Sequence, residues 1–257
     1  MMIEAAAIKE AAGQLGADLC GIAPVSRFSE APSGFHPRDI SAQCEAVVVL
    51  GARFPRSTLE AGSKAPYTLV RNMMVGKLDT ITFNLADRLE QEDVVAVPVP
   101  SADPYDDWDA EGRHGRGILS LKHAAVLAGL GVMGRNTLLL NHRYGNMLWL
   151  GAVLVSAGLQ GDPPAGYRGC PRTCTLCLDA CPQQALDGQT IDQKRCRERS
   201  ISVTEGGGWL LSCNTCRKAC PLRAGIEVGV SRLGVRARAA MRRSSRRLSS
   251  ARLGRSV

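Results

Sequence analysis

The sequence predicts a mixed α+β chain. A layered α/β domain covers residues 1–160, a small metal-ligated module covers 161–228, and a basic, disordered tail covers 229–257. Three observations predict it. Helical and strand periods alternate along the first 160 residues, as they do when helices cover a sheet. Eight of the ten cysteines fall between Cys170 and Cys220, a clustering that a reduced compartment uses for metal rather than for disulfides. From Ser231 onward there are nine arginines and no acidic residue, so the formal net charge of +8 belongs to the tail and leaves the remainder nearly neutral.

Residues 2–15 fit a helix closed by Gly16. Acids and a lysine stand there where a signal peptide would carry its apolar core. No apolar run approaches the ~18 to 20 residues of a membrane span, and the expected address is cytoplasmic. A short strand follows through Leu19 and Ile22. AVVVLGAR (46–53) is rich in β-branched residues and reads as a buried strand. Pro55, Gly62 and Pro66 mark a loop before a long helix from about Tyr67 to Gln91. VVAVPVP (94–100) is a third strand, which its prolines push to an edge or a strand end. ILSLKHAAVLAGLG (118–131) returns to a helical period. GRNTLLL and MLWLGAVLV are two more strands around a turn at Tyr144-Gly145-Asn146, and GDPPAGYRG (161–169) is a linker. Cys20 and Cys44, remote from the cysteine run, are expected as small core hydrophobes. GLGVMG (129–134) has a glycine spacing seen in nucleotide loops, but it ends a helix rather than opening one.

Between the third strand and the next helix lies SADPYDDWDAEGRHGRG (101–117). Polar loops of seventeen residues in a compact domain are often functional, although a solvated charged loop fits the same composition. Its candidates for proton transfer are His114, whose ordinary pKa near 6.5 suits either direction, and Asp107. His123 and His142 read as a helix-face residue and a turn residue.

The cysteines carry the strongest signal. CPRTCTLCLDACP (170–182) is spaced C-x3-C-x2-C-x3-C-P. Cys213, Cys216 and Cys220 repeat C-x2-C-x3-C before Pro221, and Cys196 stands alone between the runs. Soft thiolates suit iron and zinc. The tight turns ending in Cys-Pro resemble the bacterial ferredoxin run, in which three cysteines bind one cubane and the fourth crosses to the other. That resemblance assigns Cys170, Cys174, Cys177 and Cys220 to one [4Fe-4S] cluster and Cys181, Cys196, Cys213 and Cys216 to a second. Two structural zinc sites of four thiolates have the same count, but zinc ribbons usually pair two C-x2-C knuckles without crossed C-x3-C-P ends.

Taken together, HAAVLAGLGVMGRNTLLL, YGNMLWLGAVL, the two cysteine runs and the lone cysteine resemble the epoxyqueuosine reductases and the corrinoid-dependent reductive dehalogenases, as a short form. The resemblance covers most of residues 1–222. It implies an iron-sulfur oxidoreductase with a nitroreductase-like α/β domain that binds cobalamin. A two-cubane ferredoxin module would feed it electrons and an acidic side chain would supply a proton. Gly131, Gly134, Arg135 and Asn136 fall where it places cofactor binding. The aspartate expected about thirteen residues before the AGLG block falls on Gly115, beside His114, and Arg135 stands where a lysine is usual. The implied partners are an electron donor of flavodoxin or ferredoxin type and a small-molecule or modified-nucleoside substrate, tRNA among them. A ferredoxin-type carrier serving a partner corrinoid protein is the alternative, although a pure carrier does not need ~160 residues of α/β domain.

The tail has few large apolar residues to bury against its charge, and arginine suits a polyanion. Deleting residues 231–257 is expected to leave the visible absorbance of bound clusters unchanged. Salt-insensitive RNA binding retained by that deletion variant would show that the tail is not the contact.

Overall fold

The structure, a computed structural model, describes residues 3–111 and 114–226. The tail expected at 229–257 lies outside the described residues. In chain order the elements are α1 (Ala5–Gln14), β1 (Leu19–Pro24), α2 (Pro37–Ile40), β2 (Ala46–Arg53), α3 (Ala65–Glu90), β3 (Ala96–Val99), β4 (Asp107–Asp109) and β5 (His114–Arg116). Then come α4 (Leu121–Leu127), β6 (Val132–Met133), β7 (Leu139–Leu140), β8 (Leu148–Val155), α5 (Leu176–Asp179), α6 (Gln193–Ser200), β9 (Ile201–Val203), β10 (Trp209–Leu211) and α7 (Thr215–Ala219).

The frame is an antiparallel four-stranded sheet in the order β1-β2-β8-β3. Its two central strands are covered on both faces, so their sequences run apolar without alternation. Val48 and Leu50 of β2 turn towards α1 and α3, where Ile8, Leu78 and Leu85 are fully buried. Val47 and Val49 turn the other way, towards Ala124, Ala125 and Ala128 around α4. The result is a helix–sheet–helix sandwich.

Both edges are closed. Pro98 sits on edge strand β3, where a missing N–H costs no ladder bond. Along β1, the Asp162 carboxylate accepts from the Ile22 amide at 2.8 Å and its own amide donates back to the Ile22 carbonyl at 2.9 Å. The supposed linker is therefore pinned at its start.

Three local expectations need correction. Pro66 belongs to the first turn of α3 rather than to the loop before it, a position where its missing donor would be unpaired anyway. The long polar stretch contains a short hairpin, β4–β5, with Asp107 opposite Arg116. The helix expected from Ile118 begins at Leu121, and only Leu139–Leu140 of GRNTLLL is strand.

The seam between the α/β layers and the cysteine-rich half rests on a small apolar cluster of Leu140, Cys220, Leu222 and Ile226. Gly145 closes the Asn141–Gly145 turn against it with φ +59, and a Cβ there would meet the Leu222 carbonyl oxygen at 2.0 Å. Gly145→Ala is therefore expected to cost about 1–2 kcal/mol for the left-handed conformation alone, with the steric clash added. The expected readout is a Tm lower by at least ~4 °C and reduced metal retention on desalting, while Gly62→Ala, in open space, changes neither.

Candidate metal centre and adjoining loop

The cysteine half is built on two short helices packed together, α5 and α7, each carrying a Cys inside its turn and a Cys-Pro just past it. None of the ten cysteines is in a disulfide. The thiols of the run influence one another in two groups. Burial chiefly pushes the Cys220 thiol up to about 12, and Cys170, Cys177 and Cys174 each add to the shift. Cys170 is raised by burial and by Cys174, and Cys177 by burial, Cys170 and Cys174. On the other side, burial pushes Cys216 up to about 11, with Cys196 and Cys213 adding, and raises Cys196, with Cys213 and Cys181 adding. The sulfurs thus neighbour one another as Cys170, Cys174, Cys177, Cys220 and as Cys181, Cys196, Cys213, Cys216. Burial thus favours the protonated form of Cys170, Cys177, Cys196, Cys216 and Cys220, and a bound metal replaces the proton. Among the described residues no three His, Cys, Asp or Glu side chains gather closely enough to hold one metal ion.

The β6–β7 hairpin and the turn after it hold both groups. The Arg135 amide donates to Cys170 Sγ at 3.5 Å, and its guanidinium reaches the carbonyls of Cys174 at 3.0 Å and Arg172 at 3.2 Å. Asn136 Nδ2 donates to the Cys216 carbonyl at 3.2 Å, and Asn146 Nδ2 to the Arg217 carbonyl at 3.4 Å. A cavity of about 430 Å³ lined by Arg135, Cys170, Arg172 and Asp187 opens beside the first group.

Arg217 crosses the seam in the opposite direction. It is only 7% exposed. Its guanidinium donates to the Asn146 carbonyl and lies 5.5 Å from the ring centre of Phe54 and 5.9 Å from that of Trp149. The Tyr67 phenol, raised by its own burial, is hydrogen-bonded to it. Among the described residues no carboxylate pairs with Arg217. Lys122 of α4 is a second cation in the same region. Burial, then Arg217, lowers its pKa, while Cys196 and Cys216 oppose that shift.

The 101–117 stretch borders the second group. Trp108 takes Arg197, next to Cys196, over its ring at 5.4 Å, and stacks with Tyr105 at 6.0 Å. Arg71 of α3 bonds Asp103 at 2.9 Å and lies 5.4 Å from the Trp209 ring centre. Trp108 and Trp209 remain 52% and 41% exposed, each with an arginine over its ring. The loop therefore stands beside the second group of thiols rather than the first.

No family model matches the chain. An epoxyqueuosine reductase of Staphylococcus aureus is 34% identical over 122 residues, 43% of this chain and 31% of the relative. Over that stretch the chain resembles the epoxyqueuosine reductases. The match spans about a third of that relative's length. The fold agrees: an epoxyqueuosine reductase solved with an epoxyqueuosine-modified tRNA-Tyr stem loop superposes with a TM-score of 0.58 at 20% identity, over 87% of this chain and 66% of that one. A reductive dehalogenase, solved in a study of B12-dependent dehalogenation, superposes at 0.65 and 20% identity, over 94% of this chain and 36% of that one.

Position 115, where the epoxyqueuosine reductase resemblance expects an aspartate, is packed flat against an aromatic ring. A Cβ on Gly115 would meet Tyr105 at 2.4 Å. Asp107 is exposed and pairs with Arg116 at 3.5 Å, and His114 lies opposite Asp109 in β5. Of the four residues expected at a cofactor, Gly131 and Gly134 face the chain's own backbone at Leu140 and Leu138, and Arg135 and Asn136 bond the cysteine loops. Cys44 is buried in the core and Cys20 half-buried, with thiols pushed up by burial to about 11 and about 12. Sequence reasoning placed Tyr105 and Trp108 in the candidate loop but missed Arg217, Lys122 and Trp209. Only Arg217 carried a signal, a large charged residue inside C-x3-C.

Cys220→Ser is expected to disturb metal held with Cys170, Cys174 and Cys177, lowering bound iron from about eight to about four per chain. The EPR signal lost should be the one that Cys170→Ser also removes. Loss instead of the signal removed by Cys196→Ser would overturn the grouping.

Proposed function

We propose that the chain is an iron-sulfur oxidoreductase whose cysteine half is a two-cubane ferredoxin-type module, wired to a substrate site at the 101–117 loop of a nitroreductase-like domain. The observation that carries this reading is the pairing of two groups of four thiols with a polar, aromatic loop seated on one of them. The C-x3-C-P ends of both cysteine runs support cubanes over zinc, whose ribbons usually pair two C-x2-C knuckles. The buried Arg217 fits the same group, since a desolvated cation needs a nearby anion. When bound, each cluster carries one electron at a time.

The chain's own residues then divide the work. Arg135, Asn136 and Asn146 fix the cysteine loops, and the apolar seam at Leu140 and Leu222 keeps water from them. Reduction by electron pairs consumes protons, so a proton donor must face the same space. His114, Asp107 and Tyr105 stand in the loop for that role, with Asp107 held by Arg116 at the surface. Exposed Trp108 and Trp209 offer flat faces suited to a nucleobase, as in the tRNA substrate that the relatives' names suggest, or to the rim of a corrinoid. Bound there, a corrinoid would supply a cobalt centre as electron acceptor. The carrier reading keeps one observation in its favour: Leu69, Met73 and Val203 are exposed apolar side chains on α3 and β9.

Anaerobic purification followed by iron, sulfide and corrinoid analysis tests the cofactors, and two zinc with no iron would refute them. His114→Ala with Asp107→Asn, and separately Tyr105→Phe, are expected to lower turnover of an epoxyqueuosine-modified tRNA stem loop by ~100-fold or more in whichever variant lacks the donor. Cluster absorbance and reduction by dithionite should be unchanged. Full turnover in all these variants would remove the loop from the chemistry, and no turnover by the unaltered protein would favour the carrier.

A further inference from the structure

Arg217 is a poor surface residue and a poor structural one. It sits beside Cys216, is almost wholly buried, and reaches into a cage of Phe54, just past β2, Tyr67 of α3 and Trp149 of β8. A guanidinium taken out of water costs several kcal/mol unless an anion meets it. Among the described residues the only anionic candidates around it are the tyrosine and the thiols of the second group.

We propose, resting on the two-cluster reading above, that Arg217 is the fixed charge that makes the second cluster the easier of the two to reduce, so that electrons run from the first cluster towards the loop. In that transfer the reduced first cluster loses one electron and the oxidised second cluster gains it. A one-electron donor protein of flavodoxin or ferredoxin type supplies the first.

Adding an electron makes a cluster one unit more negative. A nearby cation favours the addition, and does so far more strongly when buried than when bathed in water. Among the described residues the first group has no buried cation of this kind. Its arginine, Arg135, spends its guanidinium on two carbonyls at the rim of an open cavity, where solvent screens it. Two of its thiols, Cys177 and Cys220, are only 6% and 5% exposed, and burial alone opposes added negative charge. Both differences act in the same direction.

The test is an anaerobic redox titration of the whole protein, with dithionite and mediators, followed by EPR. The signal that Cys196→Ala alters identifies the second cluster. In the unaltered protein that cluster should be reduced first. Arg217→Gln should lower its reduction constant by about tenfold, which is 59 mV for one electron, and leave the first cluster within about twofold. Arg217→Lys, which keeps the charge, should stay near the unaltered value, and that separates charge from packing. An unshifted second cluster in Arg217→Gln, or a shift of equal size in both clusters, overturns the proposal. If Arg217→Gln purifies without iron, Lys122→Met removes a neighbouring cation without touching the aromatic cage. It should lower the same potential, and no change there overturns the proposal equally. Zinc in place of iron would overturn the two-cluster reading itself, a result that the titration of an iron-loaded protein cannot be confused with.

Discussion

The seam between the α/β layers and the cysteine half is the constraint on which the arrangement depends. Eight thiols stand in a stretch that buries little else. Between Cys170 and Ile226 the buried side chains are Cys177, Ala185, Leu186, Arg217, Cys220, Pro221, Leu222, Ala224, Gly225 and Ile226, too few for an independent core. The cysteine half is therefore held by what it leans on: carbonyls bonded by Arg135, Asn136 and Asn146, the apolar cluster around Leu140, and whatever the thiols bind. Metal binding and folding are coupled in such a stretch.

That dependence explains the density of side-chain-to-backbone bonds at the seam. A carbonyl in an irregular loop has no ladder partner, and leaving it buried and unpaired would cost about 1–3 kcal/mol. The hairpin spends Arg135 and Asn136 on this task, and Lys218 and Leu211 tie the far side to Leu59 and Thr68. The AGLG block and the turn after it thus look outward as a possible cofactor motif in the sequence, yet in space they brace the cysteine loops. Tight glycine packing at Gly131 and Gly134 serves the same hairpin, because a larger residue would push it off Leu140.

How much of this the sequence makes legible follows from the range of each interaction. β2 is legible because a strand covered on both faces must be apolar throughout, and AVVVLGAR is. The edge position of β3 is legible from Pro98. The two cysteine runs are legible because the spacing within each is short-range. The sheet order is not, since β8 inserts between β2 and β3 from about fifty residues beyond β3 and no local pattern records that. Nor is Arg217, because burial of a charged residue depends on Phe54, Tyr67 and Trp149, all distant in sequence. The polar stretch hid a hairpin because β4 and β5 have three residues each, too few to show a period.

The loop's composition follows from the same electrostatics. In the proposed reading, a substrate site beside metal-bound thiolates would face negative charge on one side and would need cations that do not collapse onto it. Arg71 and Arg197 meet that need by lying over Trp209 and Trp108, which hold guanidinium groups without neutralising them. The acidic residues of the stretch, Asp103 and Asp107, are tied to Arg71 and Arg116 and kept at the surface. Gly115 lets the Tyr105 ring lie directly on the β5 backbone, so an aromatic edge occupies space that any side chain at 115 would fill. Local rules would call this loop a solvated turn; its aromatic rings and paired charges are better explained by what sits beneath it, the thiols of the second group.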